Sequence, residues 1–160
     1  MPESNNKKRE VRMNNAELFP HIISLLEEGH TVTLKLRGYS MRPFLEDNRD
    51  TAVMRKVTDI VCWEPVLAEI SQGQYVLHRI IDIDGDNITL LGDGNLNVEH
   101  CRKKDVKAQV IGFYRKGRKE LETIEGRKWK VYSKVWMTLL PIRRYLLGIY
   151  RRWVKIFGPI

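Results

Sequence analysis

Along the first part of the chain the apolar positions change period. Leu18, Ile22, Leu25 and Leu26 recur at three- and four-residue steps after Asn15, a good cap, and the series stops at Gly29. The spacing predicts one short amphipathic helix within residues 14–30. From Thr31 to Leu36 the period falls to two, with Val32, Leu34 and Leu36 on one side and Thr31, Thr33 and Lys35 on the other, as in a half-buried strand. Beyond it, short apolar runs are broken by turn residues: Thr51 to Arg55, Val66 to Ile70, Tyr75 to Ile83, Asn87 to Leu91 and Val106 to Tyr114. Asp84-Gly85-Asp86-Asn87 is a strong hairpin signal and Gln72-Gly73 a weaker one, so residues 31–118 are predicted to form a mainly β, antiparallel domain.

The tail returns to helical spacing. Tyr132, Val135, Trp136, Leu139 and Leu140, then Ile142, Tyr145, Leu146, Ile149, Tyr150, Trp153, Val154 and Phe157, describe two amphipathic helices hinged at Pro141 over residues 127–158. The opening stretch, residues 1–13, is polar and charged and is expected to be disordered. Repeats and low-complexity tracts are absent.

With 160 residues, 42% of them apolar and 30% charged, the chain can bury one ordinary core but not two. Its N-terminus lacks the basic start, apolar stretch and cleavage site of a secretory signal, and the charge-free runs of the tail, Val135 to Ile142 and Tyr145 to Tyr150, fall far short of the roughly 20 residues that span a bilayer. A cytoplasmic location, or a peripheral one on a membrane, is therefore expected, with no ordinary transmembrane helix. Cys62 and Cys101 lie in no metal-binding or disulfide pattern and are expected to be reduced thiols.

The net charge of +8 is concentrated at one end. From Gly126 onward there are nine Lys or Arg residues and no acid, whereas the rest of the chain holds 19 basic against 20 acidic residues. Trp129, Trp136 and Trp153, with Arg143, Arg144, Arg151 and Arg152, are the residues expected to meet an anionic membrane surface, where aromatic rings sit at headgroup depth and cations meet phosphates. The same helices could instead pack on the β domain or on another subunit. No nucleic-acid-binding motif accompanies the charge.

Three short segments can carry chemistry. Gly38-Tyr39-Ser40-Met41-Arg42-Pro43 follows the first strand and offers a constrained turn for a nucleophilic serine, which needs a base and oxyanion donors beside it. His78 stands in an apolar strand, on the face of Val76 and Ile80; an imidazole, with its pKa near 6.5, can take the serine proton and return it to a leaving amine. In Gly92-Asp93-Gly94-Asn95, Asp93 could orient that imidazole, and Glu99 six residues on could do so equally. Taken singly, these are also an ordinary turn, a structural histidine and a glycine-rich turn.

In this order, and followed by Val110-Ile111-Gly112, the three segments resemble the superfamily of type I signal peptidases and self-cleaving SOS-repressor-like proteins, over roughly residues 31–114. His78-Arg79 resembles the histidine-base variant of archaeal and endoplasmic-reticulum signal peptidases rather than the lysine-base one. The resemblance implies that Ser40 is the nucleophile and His78 the base, that Asp93 matches the acid of the family's GD motif, and that Glu99 falls near a second family aspartate. It places Gly38, Met41 and Pro43 around the oxyanion and substrate. Gly38 departs from the family, whose signal peptidases carry a serine two positions before the nucleophile, and the family's N-terminal membrane anchor is missing. The expected function is a serine endopeptidase that cleaves a leader or signal segment of a peptide or protein through an acyl-enzyme, with no metal or organic cofactor. Its rivals are a self-cleaving regulator and a catalytically silent module that binds a membrane or a partner.

Overall fold

The computed structural model describes residues 15–158; residues 1–13, expected to be disordered, lie outside the described residues. A helix, α1 (Asn15–Glu27), is followed by strands β1 (Val32–Lys35), β2 (Thr51–Arg55), β3 (Pro65–Ser71), β4 (Gln74–Asp84), β5 (Asn87–Leu91), β6 (Glu99–Arg102), β7 (Val106–Tyr114) and β8 (Glu122–Thr123). Two helices close the chain, α2 (Arg127–Thr138) and α3 (Arg143–Phe157). The protein is thus mainly antiparallel β, with an N-terminal helix and a C-terminal helical pair. The strands are ordered β1-β2-β7-β3-β4-β5-β6, and β8 pairs with β7.

Strand alternation sorts the core into two clusters. On β3, Leu67 joins Ala52, Met54, Ala108 and Phe113 in one cluster, closed by Ile22 and Leu26 of α1, while Val66 and Ala68 join Ile80, Ile88, Leu90 and Val106 in the other. Burial on both faces explains why β3 reads as an unbroken apolar run rather than an alternating one. β6 and β8 were not foreseen. Glu99-His100-Cys101-Arg102 has no apolar alternation, and its backbone pairing with β5 forms it instead.

Between β1 and β2 the chain folds back over a buried carboxylate. Asp50 accepts from Arg49 Nε (3.0 Å) and Nη2 (2.8 Å) and from the Glu46 amide (2.9 Å). Burial pushes this carboxyl up, but the Arg49 guanidinium and the Glu46 amide outweigh burial and hold it below its ordinary value. A depressed folded-state pKa contributes stability above the unfolded value, about 3.9, that is lost as pH falls through the folded one. Melting temperature measured from pH 6 to pH 3 should therefore fall on the acid side, and Asp50→Asn should flatten that fall while lowering stability at pH 6. In the first core cluster, Leu67→Ala is expected to cost about 2–5 kcal/mol in urea unfolding.

Candidate active site

β4 presents His78 and Arg79 to opposite faces of the sheet, because successive side chains of a strand alternate. Register then decides their partners. Ile80 lies opposite Leu90, and Leu90 opposite Glu99, so His78, two residues from Ile80, shares its face with Glu99. There His78 Nδ1 and Glu99 Oε2 are 2.5 Å apart. The ring is buried (3% exposed), whereas the Glu99 side chain keeps 30% of its surface.

The same alternation governs the loop after β5. Gly92 and Gly94 turn toward the Ser40 segment, and Asp93 turns the other way. A Cβ on Gly92 would lie 2.5 Å from the Ser40 carbonyl oxygen and 3.0 Å from His78 Nε2, and one on Gly94 would lie 2.7 Å from the Tyr39 carbonyl oxygen. Neither position has room for a side chain. The two backbones are stapled by the Gly94 amide, which donates to the Ser40 carbonyl at 2.7 Å. Ser40 O and His78 Nε2 thus flank one point in space, no farther apart than the sum of the two Gly92 distances.

Ser40 and His78 line one cleft of about 140 Å³, with Leu36, Met41, Tyr75 and Leu77. Among the described residues no hydrogen bond joins Ser40 Oγ to the ring. Gly38, at φ +88°, takes a left-handed conformation suited to glycine, and its amide donates to Asp47 Oδ1 at 2.7 Å. Met41 is buried in the first core cluster and contributes its wall to the cleft. Pro43 follows a cis peptide bond. Arg42 bonds Glu46 and lies 4.0 Å from the Tyr39 ring centre.

Of the two acids left open by the sequence, the structure brings Glu99, not Asp93, to the histidine. Asp93 is fully buried and meets Arg79, also fully buried, through Nε to Oδ1 (2.9 Å) and Nη2 to Oδ2 (2.7 Å). Arg79 Nη1 donates to Ser133 Oγ (2.8 Å) and to the Trp63 carbonyl (2.6 Å). Tyr132 donates its hydroxyl to Asp93 Oδ2 at 2.5 Å, and Trp136 Nε1 reaches the Asp93 carbonyl at 3.2 Å. Burial raises the Tyr132 phenol well above its ordinary pKa, so it stays a donor.

The tail is therefore part of the site's foundation. Trp129, Tyr132, Ser133 and Trp136 occupy one face of α2, and that face is applied to the Arg79–Asp93 pair. This corrects the expectation for three residues: Trp136 is buried and Trp129 packs half-buried against Phe113 and over Arg79, so neither ring offers a surface to a membrane, and Arg143 is buried in the wall of a cleft rather than standing on the open surface of the tail. Arg144, Arg151, Arg152 and Trp153 are exposed. Sequence reading missed Tyr132 and Ser133 as partners of the site; spacing places both on the Trp129–Trp136 face but does not say that this face turns inward.

Burial raises the pKa of both thiols, Cys62 and, to about 11, Cys101, which keeps them protonated at neutral pH and unsuited as nucleophiles. No helix among the described residues is long and apolar enough to cross a membrane. No protein-family model matches the chain, and no curated protein matches it in sequence.

The division of labour between the two acids can be measured by urea unfolding. Asp93→Asn, which leaves Arg79 uncompensated in the interior, should cost about 3–5 kcal/mol. Glu99→Gln, at a part-exposed carboxylate, should cost about 1 kcal/mol or less.

Proposed function

We propose that this chain is a serine endopeptidase of the signal-peptidase-like kind, cleaving a leader or signal segment of a peptide or protein. The observation that carries this reading is the placement of His78: Glu99 holds its Nδ1, and its Nε2 faces the backbone of the Ser40 turn across Gly92. Nδ1 bonded to a carboxylate carries the proton, which leaves Nε2 free to act as base. Asp93 serves as a positioning residue, anchoring the glycine loop from the opposite side.

In the proposed reaction a substrate carbonyl enters the cleft above Met41. Ser40 Oγ attacks it as His78 Nε2 takes the hydroxyl proton, a contact that tightens when substrate is bound. Glu99 stabilises the imidazolium, and backbone amides of the turn receive the oxyanion. His78 then gives its proton to the leaving amine as the C–N bond breaks, and a seryl ester remains. Water, deprotonated by the same nitrogen, attacks the ester and releases the acid, restoring the Ser40 hydroxyl. A cleft of about 140 Å³ walled by Leu36, Leu77 and Met41 suits small side chains beside the scissile bond. The exposed cationic part of the tail, Arg144, Arg151 and Arg152 with Trp153, supports a peripheral position on an anionic membrane.

Cleavage of leader peptides with small residues before the scissile bond, followed by mass spectrometry, tests the reading. Ser40→Ala should abolish turnover, and Glu99→Gln should lower kcat by about 10⁴-fold while the chain stays folded. Cleavage that persists in Ser40→Ala would refute it. Loss of mass from the chain itself, with no cleavage of added peptide, would identify a self-cleaving regulator instead.

A further inference from the structure

α3 has three faces rather than two. At 3.6 residues per turn, Arg143, Leu147, Tyr150 and Val154 fall on the side turned to the domain, and Arg144, Arg151, Arg152 and Lys155 on the next. Tyr145, Ile149, Trp153 and Ile156 fall on a third side that stays open, with Ile149 65% and Ile156 73% exposed. An ordinary surface helix has polar residues at those positions. Here an apolar, aromatic-bearing stripe runs beside a cationic one.

Where α2 turns into α3, a cleft of about 330 Å³ separates the helical elbow from the loop after β5, walled by Asn95, Leu96, Leu140, Pro141, Arg143 and Arg144. Arg143 is only 2% exposed, yet its Nε and Nη1 have no hydrogen-bond partner, and Nη2 makes one long bond, 3.4 Å, to the Trp136 carbonyl. Burial pulls the pKa of this guanidinium down, opposed by the field of Asp93. Asp93 makes no hydrogen bond to Arg143, and its charge is already matched by Arg79, which it meets through both oxygens. Arg144 adds a second cation to the wall, and Arg151 approaches the same loop at the Gly94 carbonyl, 3.5 Å away. Positive charge thus exceeds negative around a cleft with room for more than a single water.

We propose that this cleft seats the phosphate of an anionic phospholipid, with Arg143 and Arg144 supplying the counter-charge, while the open stripe of α3 lies in the bilayer interface. The inference rests on the peripheral-membrane reading above and specifies the lipid group recognised. The apolar stripe selects a lipid phosphate over free phosphate, because only a lipid brings acyl chains to cover Ile149 and Ile156.

Co-sedimentation of the full chain with phosphatidylcholine vesicles, with and without phosphatidylglycerol, separates the outcomes. Binding should require phosphatidylglycerol and weaken about fivefold in Arg144→Gln, the effect of one cation at an anionic surface. It should weaken at least as much in Arg143→Leu, whose melting temperature should change little, since the lost contact with the Trp136 ring, 5.0 Å away, is offset by removing two unpartnered buried donors. Ile149→Asp should weaken binding as well. If Ile149→Asp weakens binding but both arginine variants bind like the parent chain, the phosphate seat is refuted and the membrane reading stands. If vesicles are bound but no variant matters, the phosphate seat and the role of the α3 stripe are both refuted; if no vesicle is bound, the membrane reading fails with them. A rise in melting temperature with inorganic phosphate alone, without vesicle binding, would assign the cleft to free phosphate. The assay contains no peptide substrate, so failure of the peptidase reading leaves its outcome unchanged.

Discussion

The Arg79–Asp93 ion pair is the interaction on which the rest of the structure depends. Two full charges at 0% exposure are tolerable only if each is bonded on several sides, and the chain gathers partners for them from distant places: the Trp63 carbonyl ahead of β3, and Tyr132, Ser133 and Trp136 from α2. The pair therefore ties the sheet, the glycine loop and the tail into one body. It also explains why a tail that is basic overall turns its aromatic face inward: the polar tips of Tyr and Trp are the donors that a buried carboxylate needs.

Two adjacent dipeptides translate this anchoring into the candidate site. His78-Arg79 and Gly92-Asp93 each place one residue on the Ser40 side of the sheet and the other on the α2 side. The anchor thus fixes the reactive group by a single backbone step, and neither strand can slip by one residue without exchanging the roles of base and anchor. The glycines complete the device, since a side chain at Gly92 or Gly94 would push the Ser40 turn off the loop.

Much of this was legible in the sequence. The alternating and helical periods and the short apolar runs placed α1, the tail helices and six of the strands, and the order of the Ser40, His78 and Asp93 segments pointed to the residues that share the cleft or brace it. The choice between Asp93 and Glu99 was also encoded, in the odd and even positions of strands that pair, but reading it requires the β4–β5–β6 register. That register depends on β6, whose four polar-looking residues carry no periodic signal. Inward and outward faces of the tail were not separable either, because tryptophan and arginine serve buried ion pairs and lipid interfaces by the same chemistry. Arg143 and Arg144 are neighbours in sequence, yet one is enclosed and the other open.

The tryptophans surround the central pair unevenly, and that gives the molecule an optical property. Trp63 lends its carbonyl to Arg79, Trp129 lies with its ring centre 5.1 Å from the same guanidinium, and Trp136 bonds the Asp93 backbone, whereas Trp153 alone stands away on α3. Intrinsic fluorescence therefore carries two signals of different origin. Trp129 and Trp136 emit from the neighbourhood of buried charge and report whether the sheet and tail are joined. Trp63 and Trp153 both emit from the surface, at 46% and 40% exposure, and of these two only Trp153 lies on α3, so in a Trp63→Phe chain docking of the tail and loosening of its foundation can be told apart by wavelength without attaching a label.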